Sequence, residues 1–316
     1  MKTLYFITCI IIISFFARCT NGDEDVVATE SSPDWFEIED RPGELNQLLY
    51  QIYRDYQFSI FVNDTLGQRD LGVDAYGNPI IYIQLFDPGY YVWGTYSDLG
   101  TMALSKDTLA MIKAVTTFKE RFLAVLPEEI YPRSLLFVDT INSRIEYQYE
   151  AYNAENYVYS NGIRGYVVGK LYSILQMDDL ELNHWVGEIF APHCVNWITA
   201  NINKDELDKF YTITDESAWA SKYDYMFGYN DEEYKRDSKY IGFWRWKKEF
   251  AEKNMKKSIT KIDDLHDFAA WVFAYWNRKE EFYETYKDFV CLTQKFAMFE
   301  TFFEAYCEKY KIDLSN

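Results

Sequence analysis

The chain has 316 residues, is 48% hydrophobic and 19% aromatic, and carries a formal net charge of −18 at pH 7. That acidity argues against nucleic acid and anionic lipid headgroups as partners, because their phosphates would be repelled. The length and apolar content suit one large domain, or two intimate ones, with a substantial core.

Met1 and Lys2 give a short positive start, and Leu4 to Phe16 is an almost unbroken apolar run. Ala17, Arg18 and Cys19 follow, and then the polar stretch Thr20 to Asp25. This is the pattern of a secretory signal over residues 1–18, and the run is shorter than the ~20 residues a membrane-spanning helix needs. Cys19 resembles the acylated cysteine of a bacterial lipoprotein; a plain secretory peptide cut near the same point is the alternative. Asp23-Glu24-Asp25 resembles the export tag of surface-displayed lipoproteins in TonB-linked import systems. The expected location is therefore the outer membrane or cell surface, with a lipid anchor at Cys19. Residues 19–41, rich in Asp, Glu, Ser, Thr and Pro, form an acidic tether with too little apolar area to fold. Removing Lys2 and Arg18 with the leader takes the net charge to −20. Beyond Cys19 only Cys194, Cys291 and Cys307 remain, which make no disulfide framework and are expected as buried thiols.

Within residues 42–316, Gly43 to Tyr56 places Leu45, Leu48, Leu49 and Ile52 on one face, which predicts a helix. Phe58 to Val62 and Pro79 to Phe86 are rich in β-branched and aromatic residues and predict strands. Asn63-Asp64 and Tyr76-Gly77-Asn78 between them are turn signals. Ser105 starts a long amphipathic helix that Pro127 closes. Ser134 to Val138 predicts a buried strand, and Ile145 to Tyr149 and Ile163 to Val168 are further strands. From Asp178 onward the pattern is mostly helical. Asp178-Asp179 opens a helix that carries Trp185 to Asn196, and Asp263-Asp264 opens another. Two helices rich in Phe and Tyr finish the chain. Strands mainly first and helices last indicate an α+β domain.

The stretch that bears on chemistry is Val186 to His193, V-G-E-I-F-A-P-H. An H-E-x-x-H helix grips zinc with two imidazoles one turn apart, and its glutamate polarises a bound water. In that frame Glu188 holds the general-base position, while Gly187 and Ala191 stand at the ligand positions with nothing to offer a metal. Glu188 is then a helix carboxylate without a metal-bound water to activate. Gly187 costs the helix up to ~1 kcal/mol against Ala, and Pro192 is expected to break it nearby.

The chain has three histidines, His184, His193 and His266. His184 and Glu188 share a helix face, a kink at Pro192 could turn His193 toward them, and His266 sits beside Asp267 on the later helix. Zinc held by His184, Glu188, His193 and His266 is the alternative to no metal at all. Straight-helix geometry opposes it, because positions 184 and 193 fall on opposite faces. No G-x-S-x-G elbow, P-loop or dinucleotide fingerprint is present. Aromatic residues cluster at Tyr90–Trp93, Phe243–Trp246 and Trp271–Trp276. Such clusters usually form core, but Phe243–Trp246 lies between charged runs, where an exposed platform would suit sugar rings or a protein partner.

The order of these elements resembles the zinc-binding metallopeptidase lipoproteins associated with substrate import across bacterial outer membranes. The resemblance runs over most of the chain beyond the leader. It rests on R-S-L-L-F-V at Arg133–Val138, G-Y-V-V-G-K-L-Y at Gly165–Tyr172, the degenerate motif at Gly187–Ala191, T-I-T-D-E-S-A-W at Thr212–Trp219 and L-H-D-F-A-A-W at Leu265–Trp271. The family's acidic helix at this point supplies a further metal ligand; Asp267, Phe268 and Ala269 match it, whereas His266 and Ala270 replace its acidic residues. The resemblance implies a zincin-like fold whose zinc ligands are lost. It implies a binding or accessory component of an outer-membrane nutrient-uptake system, with import proteins as partners and a peptide or glycan as ligand. The alternatives are an active zinc metallopeptidase with a non-standard ligand set, and a structural or interaction lipoprotein unrelated to peptidases.

Overall fold

A computed structural model describes residues 34–86, 99–147, 150–156, 158–160, 165–215, 223, 226–228, 237–246 and 255–314. The leader, Cys19, the cluster Tyr90–Trp93 and the pair Ser217 and Trp219 lie outside the described residues. Residues 36–316 form one compact unit. Phe36 and Ile38 already pack on its core, so the folded part begins ahead of residue 42 and the end of the expected tether belongs to the domain.

The first helix, α1 (Glu44–Tyr56), buries Leu49 and Ile52 as its apolar face predicts. It is followed by β1 (Ser59–Phe61) and then by a hairpin of β2 (Thr65–Val73) and β3 (Pro79–Leu85). Strand β2 is absent from the sequence reading. Register shifts at Thr65/Gly67 and Asp70/Val73 break the period-two pattern by which a strand is recognised. The hairpin leaves Ile80, Ile81, Tyr82, Ile83 and Leu85 exposed.

After β4 (Leu99–Ala103) comes α2 (Thr108–Phe118), which continues as a π turn over Lys119–Leu123. Its cap is Asp107, whose carboxylate accepts from the N–H groups of Leu109 and Ala110. Ser105 instead accepts from the Asp107 N–H, so the helix starts later than expected. Strand β5 (Ser134–Phe137) is buried along its whole length. Strands β6 (Thr140–Tyr147), β7 (Glu150–Asn156), β8 (Val158–Ser160) and β9 (Tyr166–Val168) follow.

The central sheet has the order β1-β5-β9-β8, parallel except for the antiparallel edge β8. Its two faces follow from residue alternation. Ile60, Leu135 and Phe137 face the main core with α1 and α2, while Phe61, Leu136 and Val167 form a smaller cluster with Phe86 and Ile141. A second sheet, β4-β6-β7, is antiparallel.

A short helix, α3 (Leu171–Ile174), leads to the long α4 (Asp179–Asn201) and then to α5 (Lys204–Asp215). Asp178 caps α4 in a reciprocal box with Glu181. Pro192 does not end this helix, contrary to expectation. The helix runs through it, with Pro192 buried and the missing N–H confined to one ladder bond. A small antiparallel pair, β10 (Met226–Gly228) and β11 (Met255–Lys257), comes late in the order. Three helices complete the chain: α6 (Lys261–Tyr275), α7 (Lys279–Thr285) and α8 (Val290–Tyr310). Thr260 caps α6 in a box with Asp263. Among the described residues no helix is long and apolar enough to cross a membrane, and Cys194, Cys291 and Cys307 are free thiols.

Candidate functional site

The most extensive helix pairing is α4 against α6. It closes tightly at Gly187, where an added Cβ would lie 2.5 Å from the Ala270 carbonyl oxygen and 2.9 Å from its Cα. Gly187 is therefore needed for helix contact, and a side chain there cannot reach a metal without moving α6. Ala191 is buried in the same core. The two positions where the motif expects imidazoles are packing positions.

His184 and Glu188, one turn apart on α4, instead line a cavity of about 440 Å³. Opposite them stand Asp267 and Trp271 of α6, and Trp244 and Arg245 from the segment before β11. Lys170 closes the rim at the carboxyl end of β9, where ligands of parallel sheets commonly bind. Its backbone is left-handed, φ +73°, a conformation that disfavours side chains and gathers at functional positions. Trp185 donates its indole N–H to the Gly169 carbonyl at 3.0 Å, fixing α4 to that same strand end.

The charges inside are arranged asymmetrically. Arg245 meets Asp267 as a fork: Nε donates to Oδ2 at 3.0 Å and Nη2 to Oδ1 at 2.7 Å. Burial still pushes the Asp267 carboxyl above its ordinary range, against the pull of Arg245. Glu188 has no such fork. Its nearest charged or basic neighbour is His184 Nε2, at 3.9 Å from Oε1, and among the described residues nothing donates a hydrogen bond to it. Burial raises Glu188 to about 7; Arg245 and Lys170 oppose the rise and Asp267 adds to it. Burial lowers His184 to about 3, helped by Lys170 and Arg245, so its imidazole is neutral at pH 7.

The aromatic wall is a stack. The His184 ring lies 3.9 Å from Trp271, and Trp271 lies 4.6 Å from Trp244 at an interplanar angle of 18°. Phe243 and Trp244 are buried, so this cluster is mostly core, as aromatic clusters usually are, and not an exposed platform. The indole Nε1 of Trp244 is buried without an acceptor among the described residues.

The alternative zinc set does not converge. His193 faces the other way, with Nδ1 2.7 Å from the Tyr306 hydroxyl of α8. His266 is not among the residues lining the cavity. Asp267 has both carboxylate oxygens on Arg245. Among the described residues no three His, Cys, Asp or Glu side chains come together as a metal site would require. The donor set therefore does not fit zinc. Lys170 and Arg245 were missed as site residues. The one sequence signal for Lys170 is its place right after the parallel strand at Tyr166–Val168.

No family model matches the chain, and no curated protein or solved structure matches it.

Proposed function

We propose that this is an exported, lipid-anchored binding protein with a zincin-like fold, serving an outer-membrane uptake system rather than cleaving peptides. What carries the proposal is the Arg245–Asp267 fork, which ties the segment before β11 to α6. A fixed guanidinium neutralises the acidic helix where the resembling peptidases hold a divalent cation. With Gly187 committed to the α6 contact, the frame cannot regain its ligands by side-chain motion alone. A small, partly open cavity with charged groups and an apolar wall remains, which is the build of a ligand site. The exposed apolar side chains of hairpin β2–β3 favour a role alongside a partner protein.

The test is elemental analysis of protein purified without chelator, together with a peptidase assay on the unmodified chain and on Glu188→Gln. The expected outcome is substoichiometric zinc and no turnover in either. Stoichiometric zinc, or proteolysis that disappears in Glu188→Gln, overturns the proposal. The anchor is tested separately. Cys19→Ala should release the protein from membranes, because acylation of that thiol would be its hydrophobic attachment.

A further inference from the structure

We infer that the cavity between α4 and α6 recognises a zwitterionic α-amino acid, with the ligand ammonium on Glu188 and its carboxylate toward Lys170 and Arg245. The inference rests on the ligand-binding reading above and names the ligand class for that site.

The cavity holds Glu188 on the α4 side and Asp267 with Arg245 across from it, and these two carboxyl groups are unequally engaged. Asp267 is taken by Arg245 through both oxygens. Glu188, with 13% of its side chain exposed, faces the same space and receives no hydrogen bond among the described residues. A carboxyl in that position lacks a strong donor, and an ammonium group supplies one with compensating charge. A neutral donor would satisfy the hydrogen bond but not the charge, and an anion would repel it. His184 cannot take the donor role as a cation, because its ring is packed against Trp271 and held away from water.

At the rim, Lys170 keeps a left-handed backbone that aims no glycine but a long cationic side chain at the site. Arg245 leaves 49% of its side chain exposed beyond the fork. Two cations at the rim and one unengaged acid inside match the two ends of an amino acid. Met177, Trp185 and Trp271 complete the lining with apolar surface for a side chain. Stacking of a sugar ring is disfavoured, because Trp271 carries His184 and Trp244 against its rings. The cavity volume, about 440 Å³, lies in the range of small-molecule sites.

The same pair of charges occurs in a free amino acid and at the two ends of a short peptide, so the probes must separate them. Titration calorimetry would use L-leucine, L-methionine and L-phenylalanine, then N-acetyl-leucine, leucinamide and leucyl-leucine. Leucine or one of its apolar companions is expected to bind, and acetylation and amidation are each expected to weaken binding at least about tenfold, as loss of one charge-assisted contact does. Leucyl-leucine binding more tightly than every free amino acid would assign the site to peptides and overturn the free amino acid as ligand. Glu188→Gln should lose the sensitivity to acetylation, and Lys170→Met the sensitivity to amidation. Glu188 has no hydrogen-bond partner to lose, so the isosteric change should leave the melting profile near that of the parent at acidic pH. Equal binding of leucine and N-acetyl-leucine overturns the inference and leaves the binding-protein reading standing, as does no binding by any of these probes. Stoichiometric zinc overturns the binding-protein reading itself.

Discussion

Two aspartates on α6 stand one turn apart and meet two different fates. Asp264 pairs with Lys295 of α8, and both side chains are 0% exposed. Asp267 pairs with Arg245, at 8% and 49% exposure. Around the first pair the core is closed. Lys295 also donates to the Thr214 hydroxyl at 3.0 Å and lies over the rings of Phe210, Tyr223, Phe243 and Phe268. Tyr223 donates its hydroxyl to Asp264 at 2.7 Å. Around the second pair the protein stays open to a cavity. The same chemistry is thus a structural pin in one place and the wall of a site in the other. Burial of the whole network, not the presence of an ion pair, makes the difference.

That contrast is broken most severely at the closed pair. Lys295→Met leaves Asp264 buried with only Tyr223 to answer it, and an uncompensated buried charge costs about 3–5 kcal/mol. Denaturant unfolding should show that loss. Replacing both partners, Lys295→Met with Asp264→Leu, should recover most of it, since apolar packing can replace a buried pair at little cost. A double variant as unstable as the single would mean the pair holds the helices by something other than charge balance.

The next effect belongs to the helix contact that separates the two pairs from α4. Gly187→Ala would add ~1 kcal/mol of helix propensity in an open helix. Here the new Cβ meets the Ala270 backbone at 2.5 Å, and backbone cannot yield as a side-chain tip can. A net destabilisation of about 2 kcal/mol is expected, by the usual cost of overpacking. Gly187→His, which the metal motif invites, should fold worse still. A neutral or stabilising Gly187→Ala would return the zinc-frame idea to consideration.

This contact also marks how far the sequence was legible. The helix start at Asp178, and the apolar faces of α1 and β5, depend on neighbours along the chain and could be read, whereas the cap at Asp107 reads two residues early, at Ser105. Gly187 read as a missing ligand because its reason lies 83 positions away in Ala270. Pro192 read as a break because the packing that holds α4 straight is tertiary. Glu188 was named from the degenerate motif and His184 from its place one turn before it, as zinc-site candidates; both line the cavity, though no metal set forms there among the described residues. Arg245 was visible only as one charge in an aromatic run, since its partner Asp267 is distant in sequence. His193 was placed correctly on the far face by helix geometry.

The open side carries a smaller effect, and a pH-dependent one. Burial raises Glu188 from 4.5 to about 7 in the folded protein, so the native state holds a proton that the unfolded chain releases earlier. That contribution to stability is complete below the unfolded value and is lost as pH rises through about 7. The groups facing it are His184 and Glu181 of α4, Lys170, Arg245 and Asp267, and only Glu188 itself changes in the variant. From about pH 4 to about pH 8, Glu188→Gln should gain roughly 3 kcal/mol relative to the parent. A difference that does not vary with pH would mean that folding leaves the titration of this carboxyl unchanged.

The smallest expected loss is at Arg245. The guanidinium is half in solvent, so its ion pair adds little to folding, and Asp267 can take up a proton once the fork is gone. Its carboxyl already sits above the ordinary range because burial outweighs the pull of Arg245. Arg245→Gln should therefore cost about 1 kcal/mol at neutral pH and less under acid, where a protonated Asp267 needs no cation. In Lys295→Met the Asp264 carboxyl, already raised to about 6 by burial, can take up a proton as well, but the closed core leaves it with Tyr223 alone among its described hydrogen-bond partners. Comparing the two variants across pH isolates the openness of the site as the cause. If Arg245→Gln proved as damaging as Lys295→Met at every pH, the cavity would be part of the structural core and not a place kept open for a ligand.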